Sequence, residues 1–211
     1  MRIAAVFTFA LLLFMPIAPL PAQAAVRCAN YQYSTAARRL LQTCEAGIPS
    51  SVLDRPIVAV PDVQLHSEWC WAASISRVFA YYGHPVSQAR IVQEAYGSIT
   101  NVPGTAQAIA RDLNRTWVDD TLHPFRVQAD LYSATWYDAA NDLARGEPLI
   151  VGSLGHAMVV TAVSYYRDVT GDGAVTSVIV RDPWPSNPNR RSLSAAELRG
   201  IQILIRIRVA S

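Results

Sequence analysis

The sequence contains no lysine, and all 18 of its basic residues are arginine. This absence excludes a Ser–Lys dyad and any Schiff base formed by a lysine amine. Charge is also scarce, because charged residues make up only 16% of the chain and the formal net charge is +2. A balance so close to neutral does not favour nucleic acid or an anionic membrane as a partner.

Cysteine and histidine are few, with three and four residues respectively. Their spacing matches no zinc-binding pattern, so neither a metal nor another cofactor is predicted. Residues 168–173 resemble a calcium-binding loop but lack its terminal glutamate, and we interpret them as a hairpin turn. The sequence also lacks internal repeats and low-complexity segments, which favours an ordinary globular fold.

Only one long apolar run is present, at residues 4–20. Pro16 and Pro19 shorten it below the length of about 18 residues that a membrane span needs. A small-x-small pattern at residues 22–24 matches a signal peptidase site, so residues 1–24 are predicted to be a secretory signal peptide. The alternative is a membrane anchor. We therefore expect a secreted or periplasmic protein, without stable membrane insertion after signal removal.

The three cysteines divide into a pair and a single residue. Cys28 and Cys44 lie near the N-terminus among polar neighbours, whereas Cys70 lies between two tryptophans. Export permits disulfides, and an odd number of cysteines leaves one thiol over. We predict a Cys28–Cys44 disulfide and a free Cys70. The alternatives are a buried structural thiol at Cys70, or a bridge from Cys70 to one of the other two.

Proline spacing and apolar periodicity divide the mature chain in two. Residues 25–56 are interpreted as an N-terminal extension, either a disulfide clip or a short pro-segment. Within it, residues 34–45 predict a short helix and residues 48–61 predict extended chain, because prolines forbid a helix there. Residues 57–211 are interpreted as one compact domain.

The compact domain changes character along its length. Helical patterns come first and β-branched apolar strands follow, which predicts an α+β fold. The N-terminal helical half should pack on a C-terminal antiparallel sheet. The predicted helices cover residues 70–82, 87–96 (with Ser87 as N-cap), 105–114 and 133–145, and the predicted strands cover residues 57–60, 125–129, 148–153, 157–166, 174–181 and 202–209.

Cys70 is the candidate nucleophile, because it lies where the first long helix should begin. A free thiol has a pKa of about 8.5, and a helix N-terminus or a neighbouring imidazolium lowers it into a range of about 3.5–7.5. The positive end of the helix dipole at Cys70 therefore favours the reactive thiolate. Such a nucleophile requires a base, and that base is ordinarily a histidine.

His156 is the best candidate for this base among the four histidines. It opens an apolar strand directly after a flexible segment, residues 153–155, so its ring should lie at a strand edge while the following residues anchor the strand in the core. The alternative is a buried histidine with satisfied hydrogen bonds. His84 and His123 are predicted to be surface residues, and His66 lies in a loop, where it could be a minor site residue.

Two further residues complete the candidate site. Asp182 follows the strand predicted at residues 174–181, where its carboxylate could accept a hydrogen bond from the His156 ring. The alternative is an ordinary turn beginning at Asp-Pro. The Gln64 amide and the Cys70 backbone N–H could hold an oxyanion. For Gln64, the alternative is a solvated loop residue.

Three short motifs resemble the papain-like cysteine peptidases. The family has a glutamine six residues before a Cys-Trp pair, a histidine that begins an apolar strand, and an asparagine-x-tryptophan segment. The matching segments are Gln64 with Cys70-Trp71, Gly155-His156-Ala157, and Asp182-Pro183-Trp184. Aspartate replaces asparagine, and the glycine and second cysteine that precede the nucleophile in papain are absent. These departures are similar to the compact bacterial members, which include avirulence effectors and bacteriocin-processing peptidase relatives.

The resemblance implies a papain-like fold and a peptidase without a cofactor. It also implies that Trp184 shields the His156–Asp182 pair from water, and it makes Trp69, Trp71 and Gly155 supporting residues. We expect a secreted monomer that hydrolyses a peptide or protein substrate. One alternative is a peptidoglycan amidase or endopeptidase, or a transglutaminase or deamidase, on the same scaffold. Another is a catalytically inactive secreted binding module.

Overall fold

The computed structural model describes residues 26–53, 60–131 and 136–210. The predicted signal peptide and most of the strand predicted at residues 57–60 lie outside these ranges. The helices are α1 (Ser50–Leu53), α2 (Cys70–Tyr81), α3 (Gln88–Tyr96), α4 (Ala106–Leu113), α5 (Trp136–Ala144) and α6 (Ala195–Arg199). Across the described ranges, none of the helices has the length and apolarity needed to cross a membrane.

One antiparallel sheet collects the strands of the described residues. The strands are β1 (Arg27–Cys28), β2 (Gln32–Ser34), β3 (Arg39–Gly47), β4 (Thr116–Val118), β5 (Pro124–Leu131), β6 (Leu149–Ser153), β7 (His156–Asp168), β8 (Gly173–Arg181), β9 (Arg190–Ser192) and β10 (Ile201–Ala210). Their order is β1-β3-β7-β6-β10-β5-β4, with β2 paired to β3 and β8 paired to β7 and β9. The 13-residue β7 is the hub, because it pairs with β3, β6 and β8.

Apolar side chains cover both faces of the sheet. Successive residues of a strand point to opposite faces, and β7 follows this rule: Ala157 and Val159 join one buried cluster, whereas Met158 and Val160 join the other. Helices α2, α3 and α4 supply the first cluster, and α5 supplies the second. The predicted α+β arrangement is confirmed, and the sheet lies between two helical layers.

The helix predicted at residues 34–45 is wrong. Residues 35–38 form a turn between β2 and β3, and β3 pairs with β7 in a register that runs from Leu41 opposite Asp168 to Gly47 opposite Ala162. Cys44 and Ala46 on β3 are buried in the second cluster. Pairing with a distant strand therefore overrides a local preference for helix.

The segment predicted to be extended at residues 48–61 also differs in part, because α1 forms a single turn there. Apart from the strand predicted at residues 57–60, most of which lies outside the described residues, the other helix and strand predictions agree with the structure except for small differences at their ends. Ser87 is the N-cap of α3, and its hydroxyl accepts a hydrogen bond from the Arg90 backbone N–H. The sequence pattern also did not predict the short elements β1, β2, β4, β9 and α6.

Candidate active site

Cys70 is the first residue of α2 and lines an open cleft. The first turn of α2 contains no acidic residue, so the positive end of the helix dipole is not neutralised there. Both flanking tryptophans are buried and hydrogen-bonded: the Trp69 indole donates to the Thr100 carbonyl at 2.8 Å, and the Trp71 indole donates to the Val102 carbonyl at 3.2 Å. The two indoles thus hold the start of the helix against one loop.

This loop approaches Trp71 closely because residue 104 is glycine. A Cβ atom at Gly104 would lie 2.6 Å from Cγ of Trp71, which no ordinary contact allows. Gly104 and Trp71 together form part of the cleft wall beside Cys70. Trp69 and Trp71, the predicted supporting residues, thus both contact the segment at residues 100–104.

His156 is the first residue of β7, where it pairs with Ser153 at the end of β6. Leu154 and Gly155 join the two strands with φ angles of 51° and 79°, so this two-residue turn has the left-handed backbone that a tight hairpin requires. One turn of α2 beyond Cys70, the Ser74 hydroxyl donates to the Ala157 carbonyl at 3.2 Å. This bond aligns the nucleophile helix with the histidine strand.

Asp182 follows the last residue of β8, and its side chain is fully buried. His156 Nε2 lies 2.7 Å from Asp182 Oδ1, which also accepts the backbone N–H of Trp184 at 2.8 Å. Asp182 Oδ2 accepts hydrogen bonds from Asn187 Nδ2 at 2.8 Å and from Arg191 Nε at 2.7 Å. Four donors therefore compensate the cost of burying the carboxylate.

The ionisation of this group follows from those contacts. Burial alone raises the pKa of Asp182, but the hydrogen bonds from His156, Trp184, Asn187 and Arg191 outweigh it and hold the pKa well below its usual range. Burial likewise lowers the pKa of the His156 imidazole. The hydrogen bond and the negative charge of Asp182, together with the neighbouring Cys70 side chain, outweigh burial and raise that pKa to about 9. The arrangement therefore favours an imidazolium beside the Asp182 carboxylate.

Trp184 lies at the outer side of the pair. Its ring meets the His156 ring edge-on at a centroid distance of 6.0 Å, and both residues line the cleft. The cleft has a volume of about 810 Å³ and runs past Cys70, His156 and Trp184. It is large enough for several residues of an extended peptide.

Gln64 is buried with only 5% of its surface exposed, so the alternative of a solvated loop residue is wrong. Its Nε2 donates to the carbonyls of His66 and Ser67, both at 2.8 Å, and Oε1 is buried without a hydrogen-bond partner. Its backbone N–H donates to the Pro183 carbonyl at 2.8 Å, which ties the nucleophile loop to the segment after Asp182. The Gln64 side chain can donate to an oxyanion only if one of these two hydrogen bonds from Nε2 is released.

The other histidines lie elsewhere. The centroid of the His66 ring lies 4.1 Å from that of Trp69, the residue before the nucleophile. The surface prediction for His84 is wrong, because its ring stacks on Phe125 at 4.3 Å and its Nδ1 lies 3.0 Å from Asp119. These contacts are structural.

Three polar residues around Asp182 were missed by the sequence analysis: Asn187, Arg191 and Glu197. All three line the cleft. Residues 184–190 predict only a loop, and the strand that carries Arg191 has three residues, too short for a periodic signal. Since no residue type at these positions indicates a partner for a buried carboxylate, only the fold could identify them.

A thiol at a helix start, an imidazole and a buried carboxylate in one cleft define the papain-like class of cysteine peptidases. The model of the Peptidase_C39 like family matches residues 57–200, and the chain belongs to this family. Membership implies a cysteine peptidase.

One solved structure that the chain resembles is UfSP from C. elegans, at 16% sequence identity and a TM-score of 0.44. The match covers 68% of this chain and 30% of that one. No curated protein matches the chain.

Proposed function

We propose that this chain hydrolyses peptide bonds with Cys70 as nucleophile, His156 as general acid and base, and Asp182 as the group that orients the imidazole. The observation that carries the proposal is the chain of contacts in one cleft. The His156 ring meets Asp182 through Nε2 at 2.7 Å, and its other nitrogen remains for Cys70, which lines the same cleft. Nucleophile, base and orienting group thus stand in the order that acyl transfer requires.

Acylation begins from the thiolate–imidazolium pair. The Cys70 sulfur attacks the carbonyl carbon, and the π electrons move onto the carbonyl oxygen. When the tetrahedral species collapses, the C–N bond breaks and the His156 imidazolium gives its proton to the departing amine. A water molecule, deprotonated by neutral His156, then cleaves the thioester, which releases the acid and restores the ion pair.

The oxyanion of these steps needs preorganised donors. The backbone N–H of Cys70 is one, because the first N–H groups of a helix have no partner within the helix. The Gln64 amide is proposed as the second, after one of its bonds to the His66 or Ser67 carbonyl is released. Gln64→Ala is expected to reduce kcat by about 100-fold with little change in KM, since loss of one such donor has that effect.

Labelling of Cys70 and cleavage of a peptide library test the proposed function. Wild-type protein is expected to react with iodoacetamide at Cys70 at neutral pH and to cleave library peptides. Cys70→Ala should abolish cleavage and leave the melting temperature within a few degrees of wild type. Cleavage retained above a few per cent by Cys70→Ala would contradict the assignment. Release of cell-wall fragments with no peptide cleavage would instead favour a peptidoglycan hydrolase.

Export of the chain as a monomer is part of the proposal. The apolar run at residues 4–20 supports it, and the Cys28–Cys44 disulfide is compatible with an oxidising compartment. N-terminal sequencing of the protein recovered outside the cytoplasm should begin at Ala25. A mature protein that still begins at Met1 would contradict export through a cleaved signal.

A further inference from the structure

Arg191, which binds the Asp182 oxygen that His156 does not contact, also faces a second carboxylate. The Arg191 guanidinium donates from Nε to Asp182 Oδ2 at 2.7 Å. Its two terminal nitrogens donate to Glu197, Nη1 to Oε2 at 2.9 Å and Nη2 to Oε1 at 2.6 Å. Only 19% of the Arg191 side chain is exposed, so these bonds lie largely outside bulk water. Paired guanidinium–carboxylate bonds of this kind fix orientation as well as charge.

Both residues are held by their own elements. Arg191 lies on β9 opposite Val180 of β8, directly beside the strand end that carries Asp182. Glu197 occupies the N3 position of α6, where it forms a capping box with Ser194: Glu197 Oε2 accepts the Ser194 backbone N–H at 2.7 Å. The Glu197 carbonyl also accepts the Ser153 hydroxyl at 2.6 Å, which joins α6 to the end of β6, where Ser153 pairs with His156.

The row Asp182–Arg191–Glu197 alternates in charge and carries one net negative charge. Without Glu197, the Arg191 charge would offset that of Asp182 and weaken its attraction for the imidazolium. Without Arg191, the negative charges of both Asp182 and Glu197 would act on the imidazolium uncompensated. The other groups around His156 are Cys70 on α2 and Trp184, and Glu68 lines the same cleft.

We propose that Arg191 and Glu197 are positioning residues that set, through Asp182, the pH at which the His156 imidazolium loses its proton. This inference rests on the proposed function, in which that proton is delivered to the leaving amine. Its distinctive consequence is that the two residues act in opposite directions, although they lie in one hydrogen-bonded cluster.

The test follows the His156 ring by NMR as pH is raised, with the signal assigned by its loss in His156→Gln. In Glu197→Gln the positive charge of Arg191 is uncompensated, so the midpoint of the His156 titration should fall below that of wild type. Arg191→Met removes the positive charge, so its midpoint should rise. Each shift is expected to be about 0.5 to 1 pH unit, as an unbalanced charge a few ångströms away produces in a partly screened site.

Controls separate charge from damage to the fold. Arg190→Met removes the neighbouring, exposed arginine of β9 and should leave the midpoint unchanged. Arg191→Lys keeps the charge but loses the paired geometry, so its midpoint should stay near wild type while kcat falls. If Arg191→Met does not fold, a lowered His156 midpoint in Glu197→Gln together with an unshifted midpoint in Arg191→Lys still tests the inference.

Midpoints that move in the same direction in Glu197→Gln and Arg191→Met, or that do not move, would overturn the inference. The readout needs no substrate, so its failure differs from failure of the proposed function. If Cys70→Ala keeps its cleavage activity, the proposed function fails. If Cys70 is essential and the His156 midpoints do not separate, only the role of Arg191 and Glu197 fails.

Discussion

At the scale of single residues, Asp182 is held by more than its bond to the base. It accepts four hydrogen bonds from different parts of the chain, and the His156 bond is only one of them. Its carboxylate is therefore fixed even when the imidazole turns. We therefore expect a conservative change at Asp182 to cost less activity than removal of Cys70 or His156.

We predict that His156→Ala is as damaging as Cys70→Ala, because nucleophile and base act as one unit. Asp182→Asn should cost less, since an asparagine side-chain oxygen can still accept the imidazole N–H. The measurement is the rate of peptide cleavage at saturating substrate for the three variants. Equal loss in Asp182→Asn and His156→Ala would mean that the negative charge of Asp182 matters more than orientation.

The pH dependence follows from the raised pKa of His156. Because that pKa is about 9 against an ordinary value of 6.5, the imidazolium is present at neutral pH and is lost as pH rises through about 9. We expect kcat/KM of wild type to fall on the alkaline side with a midpoint near 9. In Asp182→Asn the midpoint should move toward 6.5, since the negative charge that stabilises the imidazolium is gone. An alkaline midpoint that stays in place would contradict the contribution of Asp182.

At the scale of elements, two hairpin turns have the same hydrogen-bond pattern around an aspartate. In the β4–β5 connection, Asp119 Oδ1 accepts the Thr121 backbone N–H at 2.8 Å, the Thr121 hydroxyl at 2.6 Å and the His123 backbone N–H at 2.9 Å. These bonds hold the pKa of Asp119 below its usual range, although burial acts in the opposite direction. An aspartate two residues before a threonine thus closes the turn.

The β7–β8 connection repeats this pattern. Asp168 Oδ1 accepts the Thr170 backbone N–H at 2.9 Å, the Thr170 hydroxyl at 2.6 Å and the Asp172 backbone N–H at 3.0 Å. The other carboxylate oxygen pairs with Arg39. The hairpin predicted at residues 168–173 is confirmed, and the likeness to a calcium loop arises from a carboxylate that is already used by its own turn.

The two turns carry different residues at the position with left-handed backbone, which gives a matched pair of variants. Leu122 has a φ angle of 70° and its side chain is 82% exposed, whereas Gly171 has a φ angle of 95° at the equivalent place. Gly171→Leu should lower the free energy of unfolding by about 1 kcal/mol, because left-handed backbone disfavours a Cβ atom. Leu122→Gly should leave it unchanged or raise it by up to about 1 kcal/mol. Urea denaturation measures both, and destabilisation by Leu122→Gly would contradict this account.

At the scale of the whole molecule, the disulfide joins the outermost strand to the sheet. Cys28 on β1 faces Cys44 on β3, and the two are bonded, whereas Cys70 is free. The predicted division of the three cysteines is thus present in the structure. Since β3 pairs with β7 along seven residues, the bridge reinforces a segment that is already part of the main sheet.

We predict that protein alkylated before reduction carries a single label, on Cys70. A label on Cys28 or Cys44 would contradict the bridge. The double variant Cys28→Ala/Cys44→Ala should lose about 3 kcal/mol of unfolding free energy, as expected for a cross-link closing a short loop. Because the bridge is remote from the cleft, kcat of this variant at low temperature should remain close to wild type. A large loss of kcat in a folded double variant would show coupling between β3 and the site.

The long elements were predictable because their patterns are local. The apolar periodicity of α2, the N-cap at Ser87 and the β-branched runs of β6, β7, β8 and β10 each depend on neighbouring residues. The helix prediction for residues 34–45 is wrong for the opposite reason. Their helical preference is weak, and only β7, far along the chain, supplies the partner that makes β3 a strand.

The sequence by itself determined the residue types of the candidate site: a cysteine at a helix start, a histidine at the start of an apolar strand and an aspartate at the end of another. Each of these positions depends on chemistry within a few residues. The tertiary structure alone decided what surrounds them. The Arg191–Glu197 pair behind Asp182, and the engagement of the Gln64 amide with its own loop, arise where separate elements meet. A sequence pattern contains no such contact, because hydrogen bonds between distant segments form only when the sheet brings them together.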